Sequence, residues 1–511
     1  MQNRPLRKRC IIVLLAMTYA VAWTTGTDAR GPQSKAKHII MFLGDGMQLE
    51  HEIATSRYLF GKDNGLAFHH LAYKGYVATW DVTTYNKYAA SLGLPPYNPV
   101  GFNPLVGYDP IKGGRRPYPL QSSGIDVNYF LSKISAKIPA ADSASTATAL
   151  STGFKTDDGN IAWLPGDPAD GALKTIAEIL RDKKGFSIGV VSTVPFTHAT
   201  PAAFVSHNEN RNNCGAIGTE IIRSFQPEVV IGGGYPGPGG TPTYQYLSKA
   251  DHDYLKLDPA SPYVFVERTA SSDGSVKLLE AARQAVAQDK KLFGLFGGPG
   301  GNFESPVPSD LPGTPSISRA TIENPLLKDA TLAALQVLSR DPDGFFVMIE
   351  QGDIDWANHA NDFQRMVGTI WDLHEAVAAA VDFVNKPGDD IDWSNTLLIV
   401  TSDHANSYMR LNDSLKLGAG DLPQQDGTCP ACTYPQGQVT YSTTDHSNEL
   451  VTLYVQGNFR IPDFYRYEGK WYPRTRIIDN THLFHAIASA AGVETISQLR
   501  PKSPKITLNN S

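Results

Sequence analysis

Cysteine is scarce in this chain, and long apolar runs are missing. Four cysteines among 511 residues are too few for a fold in which disulfides replace a core. The longest apolar stretch, Ile11 to about Trp23, covers roughly 13 residues, short of the about 20 that a membrane-crossing helix needs. Positive charge is not in excess either: 45 Lys and Arg stand against 51 Asp and Glu, a formal net charge of −6. That balance argues against a broad phosphate-neutralising face and so against nucleic acid as a partner. No glycine-rich loop closes on Lys-Ser or Lys-Thr. Gly232-Gly233-Gly234 and Gly297-Gly298-Pro299-Gly300-Gly301 therefore read as turns after strands rather than as nucleotide loops. No internal repeat is visible, which excludes solenoids and propellers.

What is present at the N-terminus is Arg4, Arg7, Lys8 and Arg9, then the apolar stretch, then small residues at Ala20 and Ala22 or at Thr27 and Ala29. The pattern predicts a secretory signal peptide in residues 1–29, cleaved near Ala22 or Ala29, and a secreted or periplasmic protein with no membrane association afterwards. Removing residues 1–22 deletes four positive charges and no acid, taking the formal charge from −6 to −10. Three cysteines then remain. Cys429-Pro430-Ala431-Cys432 has the spacing of a redox pair, but its surroundings read as loop, so a small structural disulfide is expected, with Cys214 left over.

At 41% hydrophobic content the remaining chain can bury a large core. Strand-like apolar runs at 38–43, 187–192, 228–231, 291–296, 344–349, 396–401 and 449–455 alternate with helix-like stretches at 171–181, 278–288, 325–339 and 363–384. Alternation of this kind predicts an α/β fold, a mostly parallel sheet with helices on both faces. Residues 30–511 are read as a single domain. Two Pro/Gly-rich stretches, about 84–137 and 235–275, interrupt it as loop insertions over one rim.

In a parallel sheet, ligands bind beyond the carboxyl ends of the strands. Asp45 stands two residues past the first run, Glu350 directly follows another, Asp403 and His404 follow Thr401, and His198 with Thr200 comes shortly after 187–192. Asp355 and His359 are four apart, hence on one face of a helix. His446 adds a third imidazole. Imidazoles with carboxylates suit Zn²⁺, while carboxylate and hydroxyl oxygens suit Mg²⁺. Asp142-Ser143-Ala144-Ser145-Thr146, nearly all small residues and closing at Gly153, reads as a tightly packed helix. Ser143 then falls at an N-terminus that favours an anion, with a plain N-cap as the simpler alternative. His69, His70, His207, His252, His374, His482 and His485 lack carboxylate context and are expected to be structural or at the surface.

These segments, in this order over about residues 35–495, resemble the metal-dependent alkaline phosphatases. The Asp142-to-Thr148 stretch matches that family's nucleophile signature, with Ala140 where Ile or Val is usual. The resemblance implies hydrolysis of small-molecule phosphate monoesters through a phosphoseryl intermediate on Ser143. It implies two Zn²⁺, one held by Asp355, His359 and His446 and one by Asp45, Asp403 and His404, and one Mg²⁺ held by Asp45, Thr200 and Glu350. Arg211, thirteen residues past His198, stands where the family's phosphate-binding Arg stands. Two positions vary within the family: His198 is expected behind the magnesium ligands, and Trp356 in the substrate pocket, where some bacterial members carry Asp and Lys. The segment around His446 reads Asp-His-Ser rather than His-Thr-Gly. A homodimer is implied by the resemblance alone. Phosphodiesterase or phosphotransferase activity on the same fold, or non-catalytic binding of metal or phosphate, are the alternatives.

Overall fold

The computed structural model describes residues 35–117, 127–131, 140–237, 240–457 and 464–493; the signal-peptide expectation falls outside them. Its centre is a ten-stranded sheet. In chain order the strands are β1 (His38–Gly44), β2 (Tyr73–Ala78), β3 (Ser187–Pro195), β4 (Val229–Gly233), β5 (Tyr263–Glu267), β6 (Lys291–Leu295), β7 (Phe345–Gln351), β8 (Thr396–Thr401), β9 (Val451–Gln456) and β10 (Ile477–Asp479). Across the sheet they run β10-β2-β9-β8-β1-β7-β3-β4-β6-β5. Every neighbouring pair is parallel except the two that involve β9, which runs against both β8 and β2.

The centre of the sheet is apolar on both faces, as a sheet covered on both sides requires. Along β1, Ile39, Met41 and Leu43 enter one core while Ile40 and Phe42 enter the other. Along β7, Phe346 and Met348 face the first core, and Phe345, Val347 and Ile349 the second. Helices Ser143–Thr152, Ile176–Lys184, Ala199–Val205 and Asn480–Ala491 contribute to the first core. Helices Leu49–Phe60, Gly274–Gln288, Leu327–Leu338 and Phe363–Asn385 contribute to the second. Among the described residues no helix is long and apolar enough to cross a membrane.

The alternation of strand and helix was correctly legible, but three strands were not. All three lie at or beside the sheet edges; Tyr73–Ala78 and Tyr263–Glu267 carry partly exposed residues that weaken the apolar signature, and Ile477–Asp479, though fully buried, is only three residues long. The loop expected at 235–275 is corrected accordingly. It contains helix Lys249–Leu257 and the edge strand β5, because that strand needs an apolar face on one side only. The stretch at 84–137 overlaps helix Val82–Ser91, and its described part belongs to an aromatic cluster that includes Trp80, Tyr85, Phe102, Tyr108, Tyr129 and Phe130. It returns to the rim where Asn448 N–H donates to the Phe130 carbonyl at 2.9 Å.

Helix Ala199–Val205 is anchored just past its C-terminus by His207. The His207 Nδ1 lies 2.8 Å from Glu220 Oε1 and its Nε2 3.3 Å from Glu178 Oε2. Burial disfavours the charged ring, but the two carboxylates outweigh it and push its pKa from 6.5 up to about 10. A pKa raised by folding stabilises the native state fully below pH 6.5 and loses that contribution as pH climbs through about 10. Chemical denaturation of His207→Gln at a series of pH values is therefore expected to show a deficit against wild type that is largest near neutrality and closes at strongly alkaline pH. A deficit that does not change with pH would contradict it.

Candidate active site

Register brings the functional residues to one rim. Leu43 of β1 pairs with Glu350 of β7 and with Thr401 of β8, and Ser192 of β3 also pairs with Glu350. These strands therefore end in line, and Asp45, Thr200, Glu350, Asp403 and His404 emerge at one level. β9 runs the other way, so its N-terminal end, preceded by His446, lies at the same rim. The antiparallel strand is thus what delivers the third imidazole.

Helix Asp353–His359 places Asp355 and His359 one turn apart. His359 Nε2 is 3.2 Å from Asp355 Oδ2, and His446 Nε2 is 3.5 Å from Asp355 Oδ1. The two imidazole Nε2 atoms are 3.1 Å from each other. Each ring is turned by its opposite nitrogen, His359 Nδ1 against the Thr444 carbonyl at 2.6 Å and His446 Nδ1 against the Ala141 carbonyl at 2.8 Å. Nδ1–H donation to a carbonyl leaves the Nε2 lone pair free, the arrangement by which proteins orient metal-binding histidines. Asn406 fixes the carboxylate, its amide donating to Asp355 Oδ1 at 2.6 Å.

The second group adjoins it. His404 Nε2 lies 3.2 Å from Asp403 Oδ2, 3.4 Å from Asp45 Oδ1 and 3.1 Å from Ser143 Oγ. Burial lowers the His404 pKa to about 4, so the ring is neutral, as a ligand must be. Ser143 is the first residue of its helix and 2% exposed. Asp142 caps that helix by accepting from Ser145 N–H at 2.9 Å, and Gly153 ends it in the left-handed region at φ 77°. Its Asp142 Oδ2 also accepts from Arg211 at 3.0 Å, so the cap and the guanidinium are one unit.

The third group centres on Glu350. Ser192 donates to Glu350 Oε2 at 2.5 Å, while the Thr200 hydroxyl lies near enough to lower the Glu350 carboxyl without completing a hydrogen bond. His198 Nε2 is 3.3 Å from Arg211 Nη2, and its ring meets Trp356 edge-on at 6.1 Å. Burial first, then the Arg211 charge, lower the His198 pKa to about 3. His198 therefore touches Arg211 directly, which its sequence position did not imply.

Asp45, Glu350 and Asp403 are at most 1% exposed and Asp355 is 6% exposed. Burial and then neighbouring carboxylates push the Asp45 pKa well up and the Glu350 pKa to about 7. Asp45 Oδ1, Asp403 Oδ2, Glu350 Oε1 and Thr200 Oγ1 are buried with no hydrogen-bond partner among the described residues. Anions crowded out of water in this way demand positive charge. The donor set of carboxylates, imidazoles and one hydroxyl fits divalent cations, imidazole-rich toward Asp355 and oxygen-rich toward Glu350.

A further carboxylate cluster, Asp81, Asp142 and Asp158, had no signal in the sequence because its members are far apart along the chain. Ser145 donates to Asp81 at 2.8 Å and Arg211 holds Asp142, while Asp158 Oδ1 is buried with no hydrogen-bond partner among the described residues, and burial, then Asp81, pushes the Asp158 pKa up to about 10. Also missed were Asn406, Ser192 and the fully buried His51, which lies 3.2 Å from the Asn358 amide nitrogen. Neutral residues packed behind a ligand leave no pattern to read. Of the histidines read as structural, His69 pairs with Glu52 and His252 with Glu267.

A doubly covered, mostly parallel sheet with carboxylates and imidazoles converging at its carboxyl rim defines an α/β protein built around a metal-binding centre. The sequence profile described as "Alkaline phosphatase" matches residues 131–419, and the chain belongs to the alkaline phosphatase family. It is 28% identical over 381 residues to alkaline phosphatase 3 of Bacillus subtilis, covering 74% of this chain and 62% of that protein. It is 30% identical over 413 residues to the alkaline phosphatase of Escherichia fergusonii, covering 73% of this chain and 79% of the relative. The alkaline phosphatase from the Antarctic bacterium TAB5 superposes with a TM-score of 0.56 at 22% identity, covering 91% of this chain and 100% of that one.

The turn after the Asp355–His359 helix is held by the Cys429–Cys432 loop. The two cysteines form a disulfide, and Cys214 is free. Cys432 Sγ lies 3.5 Å from the Asn361 carbonyl, and Tyr434 hydroxyl donates to that carbonyl at 2.8 Å while accepting from Phe363 N–H at 3.0 Å. Asn361 itself sits at φ 52°. Tyr434→Phe strands both groups and is expected to cost about 1–3 kcal/mol, read from urea unfolding. An unchanged midpoint would show that the loop does not support the turn.

Proposed function

We propose that the protein hydrolyses phosphate monoesters to an alcohol and inorganic phosphate by double displacement through Ser143. The observation that carries this reading is the meeting of Ser143 Oγ, 3.1 Å from His404 Nε2, with two adjoining groups of cation-seeking side chains. Asp355, His359 and His446 would hold one Zn²⁺, Asp45, Asp403 and His404 a second, and Asp45, Thr200 and Glu350 a Mg²⁺. A variant of the TAB5 enzyme is described with Mg bound in its M3 site. When bound, these ions supply positive charge that favours the Ser143 alkoxide and the departing oxygen.

The chain's own groups do the rest. Ser143 Oγ attacks phosphorus and the ester oxygen leaves, giving a phosphoserine; water then attacks phosphorus and returns the serine. Arg211 offers a planar fork of donors to two phosphate oxygens, strengthening as charge builds. Asp142 keeps the fork aimed, and neutral His198 sits against it without competing for the anion. The N-terminal amides of helix Ser143–Thr152 add a favourable dipole. A monoester dianion matches this concentration of charge better than a diester monoanion, and a passive metal store needs neither Ser143 nor Arg211. The alkaline preference follows from the need for deprotonated nucleophiles. Export and a homodimeric state belong to this same reading.

The test is phosphate release from a chromogenic aryl phosphate at alkaline pH. Ser143→Ala is expected to lose about 10³-fold or more, and EDTA to abolish activity that zinc with magnesium restores. Full activity in Ser143→Ala would overturn the mechanism.

A further inference from the structure

The starts of two helices are joined behind Arg211. Asp142 caps helix Ser143–Thr152 and Asp81 caps helix Val82–Ser91, and Ser145 Oγ donates to Asp81 Oδ2 at 2.8 Å. The turn at 156–159 ties both starts together. The Thr156 carbonyl accepts from Val82 N–H at 2.9 Å, Asp158 N–H donates to Thr83 Oγ1 at 3.0 Å, and Gly159 N–H donates to Asp142 Oδ2 at 3.1 Å. The Gly159 carbonyl in turn accepts from Arg211 N–H at 2.8 Å. Arg211 is thus held twice by this assembly, its main chain by Gly159 and its guanidinium by Asp142. Asp158 adjoins both, next to Gly159 in sequence and with a carboxyl oxygen within 4.8 Å of one on Asp142.

Hydrogen-bond donors locate the charge among the three carboxyls. Both Asp81 oxygens accept, Oδ1 from Thr84 N–H at 2.7 Å and Oδ2 from Ser145 Oγ. Both Asp142 oxygens accept, Oδ1 from Ser145 N–H and Oδ2 from Gly159 and Arg211. Donors on every oxygen hold these two as anions. Asp158 differs: its Oδ1 is buried with no partner among the described residues, and its carboxyl lies within hydrogen-bond reach of Asp81. A bond between two carboxyls needs a proton, which falls to the member that lacks donors. In accord, burial, then Asp81, push the Asp158 pKa up to about 10. Charged groups face the cluster from each side: Asp142 from the serine helix, Lys87 from helix Val82–Ser91, and Arg211. On Asp158's own segment, Lys155 acts on Asp81 but is bound to Asp479 and Asn480, and Asp157 accepts from Thr83 Oγ1 and Gly166 N–H.

We propose that Asp158 holds a proton and donates it to Asp81, that this neutral link makes Asp158 a positioning residue for Arg211, and that losing the proton at alkaline pH weakens the hold on phosphate. The proposal rests on the phosphomonoesterase reading and adds to it a residue that acts only through Asp142, Gly159 and Arg211. An ionised Asp158 would bring a third anion against Asp81 and Asp142, break the link and compete for the guanidinium.

The test is inhibition of aryl phosphate hydrolysis by inorganic phosphate, in zinc- and magnesium-replete protein, from about pH 8 to about pH 11. Phosphate stays a dianion throughout, and titration at the metals affects all variants alike, so the readout is the ratio of phosphate Ki between wild type and variant. For Asp158→Asn, whose amide repeats the donor of a protonated carboxyl, the ratio is expected to be near one at pH 8. It should rise about threefold or more as pH passes through about 10. Asp158→Ala, which lacks the link to Asp81, should bind phosphate less tightly than Asp158→Asn at every pH. Infrared difference spectra of wild type against Asp158→Asn should show a protonated-carboxyl band that fades over the same range. A flat ratio, no such band, equal Ki for the two variants, or one divalent cation fewer in Asp158→Asn by metal analysis would overturn the proposal and leave the phosphomonoesterase standing. Wild type that hydrolyses no ester would overturn both.

Discussion

Repulsion among buried carboxylates is the constraint on which this molecule turns. Asp45, Glu350, Asp355 and Asp403 lie together at the rim, almost wholly out of water. Among the described residues, His359, His446 and the more distant Arg211 supply the positive charge set against them, His404 being neutral. Asp355 alone is kept well below the usual carboxylate range, by His446 and His359 against the effect of burial. Such a cluster is tolerable in a folded protein only if protons or cations complete it. The orphaned oxygens at Asp45, Asp403, Glu350 and Thr200 locate where that charge is wanted, so the site's chemistry and its folding cost have one origin.

The fold is arranged to hold this concentration of charge in place. The central strands place their last residues in register, so that Asp45, Glu350, Asp403 and His404, which end or follow them, stand at one level. Behind the ligands stands a layer of neutral donors and acceptors, Asn406, Ser192 and the carbonyls of Thr444 and Ala141, which set ring planes and carboxylate orientation. Held by packing, these groups need not reorganise when charge develops on phosphorus. The serine helix contributes in another way: its small residues permit close approach to helices Ala199–Val205 and Asn480–Ala491, bringing Ser143 against His404.

Much of this was legible in the sequence, for reasons that differ by element. The central strands are continuous apolar runs because both their faces are covered. Asp45, Glu350, Asp403 and His404 stand out because charged residues directly after such runs are unusual, and Asp355 with His359 through the spacing of one helical turn. His446 carried no comparable local signal; its place depends on β9 being antiparallel, which a period-two apolar pattern does not encode. Arg211 was placed by family resemblance, and its tie to Asp142 joins residues far apart in sequence. Strands β2 and β5 escaped notice because partly exposed strands admit residues such as Lys74 and Glu267, and β10 because three residues are too few to show a pattern.

The central claim is that the rim is a cation-binding centre built around Ser143. Anomalous diffraction from crystals grown with zinc and phosphate, recorded on both sides of the zinc absorption edge, tests it most directly. The account predicts two zinc peaks, one bounded by Asp355, His359 and His446 and one by Asp45, Asp403 and His404, with phosphate between them, Ser143 and Arg211. Zinc bound elsewhere on the protein while both positions stay empty would contradict it.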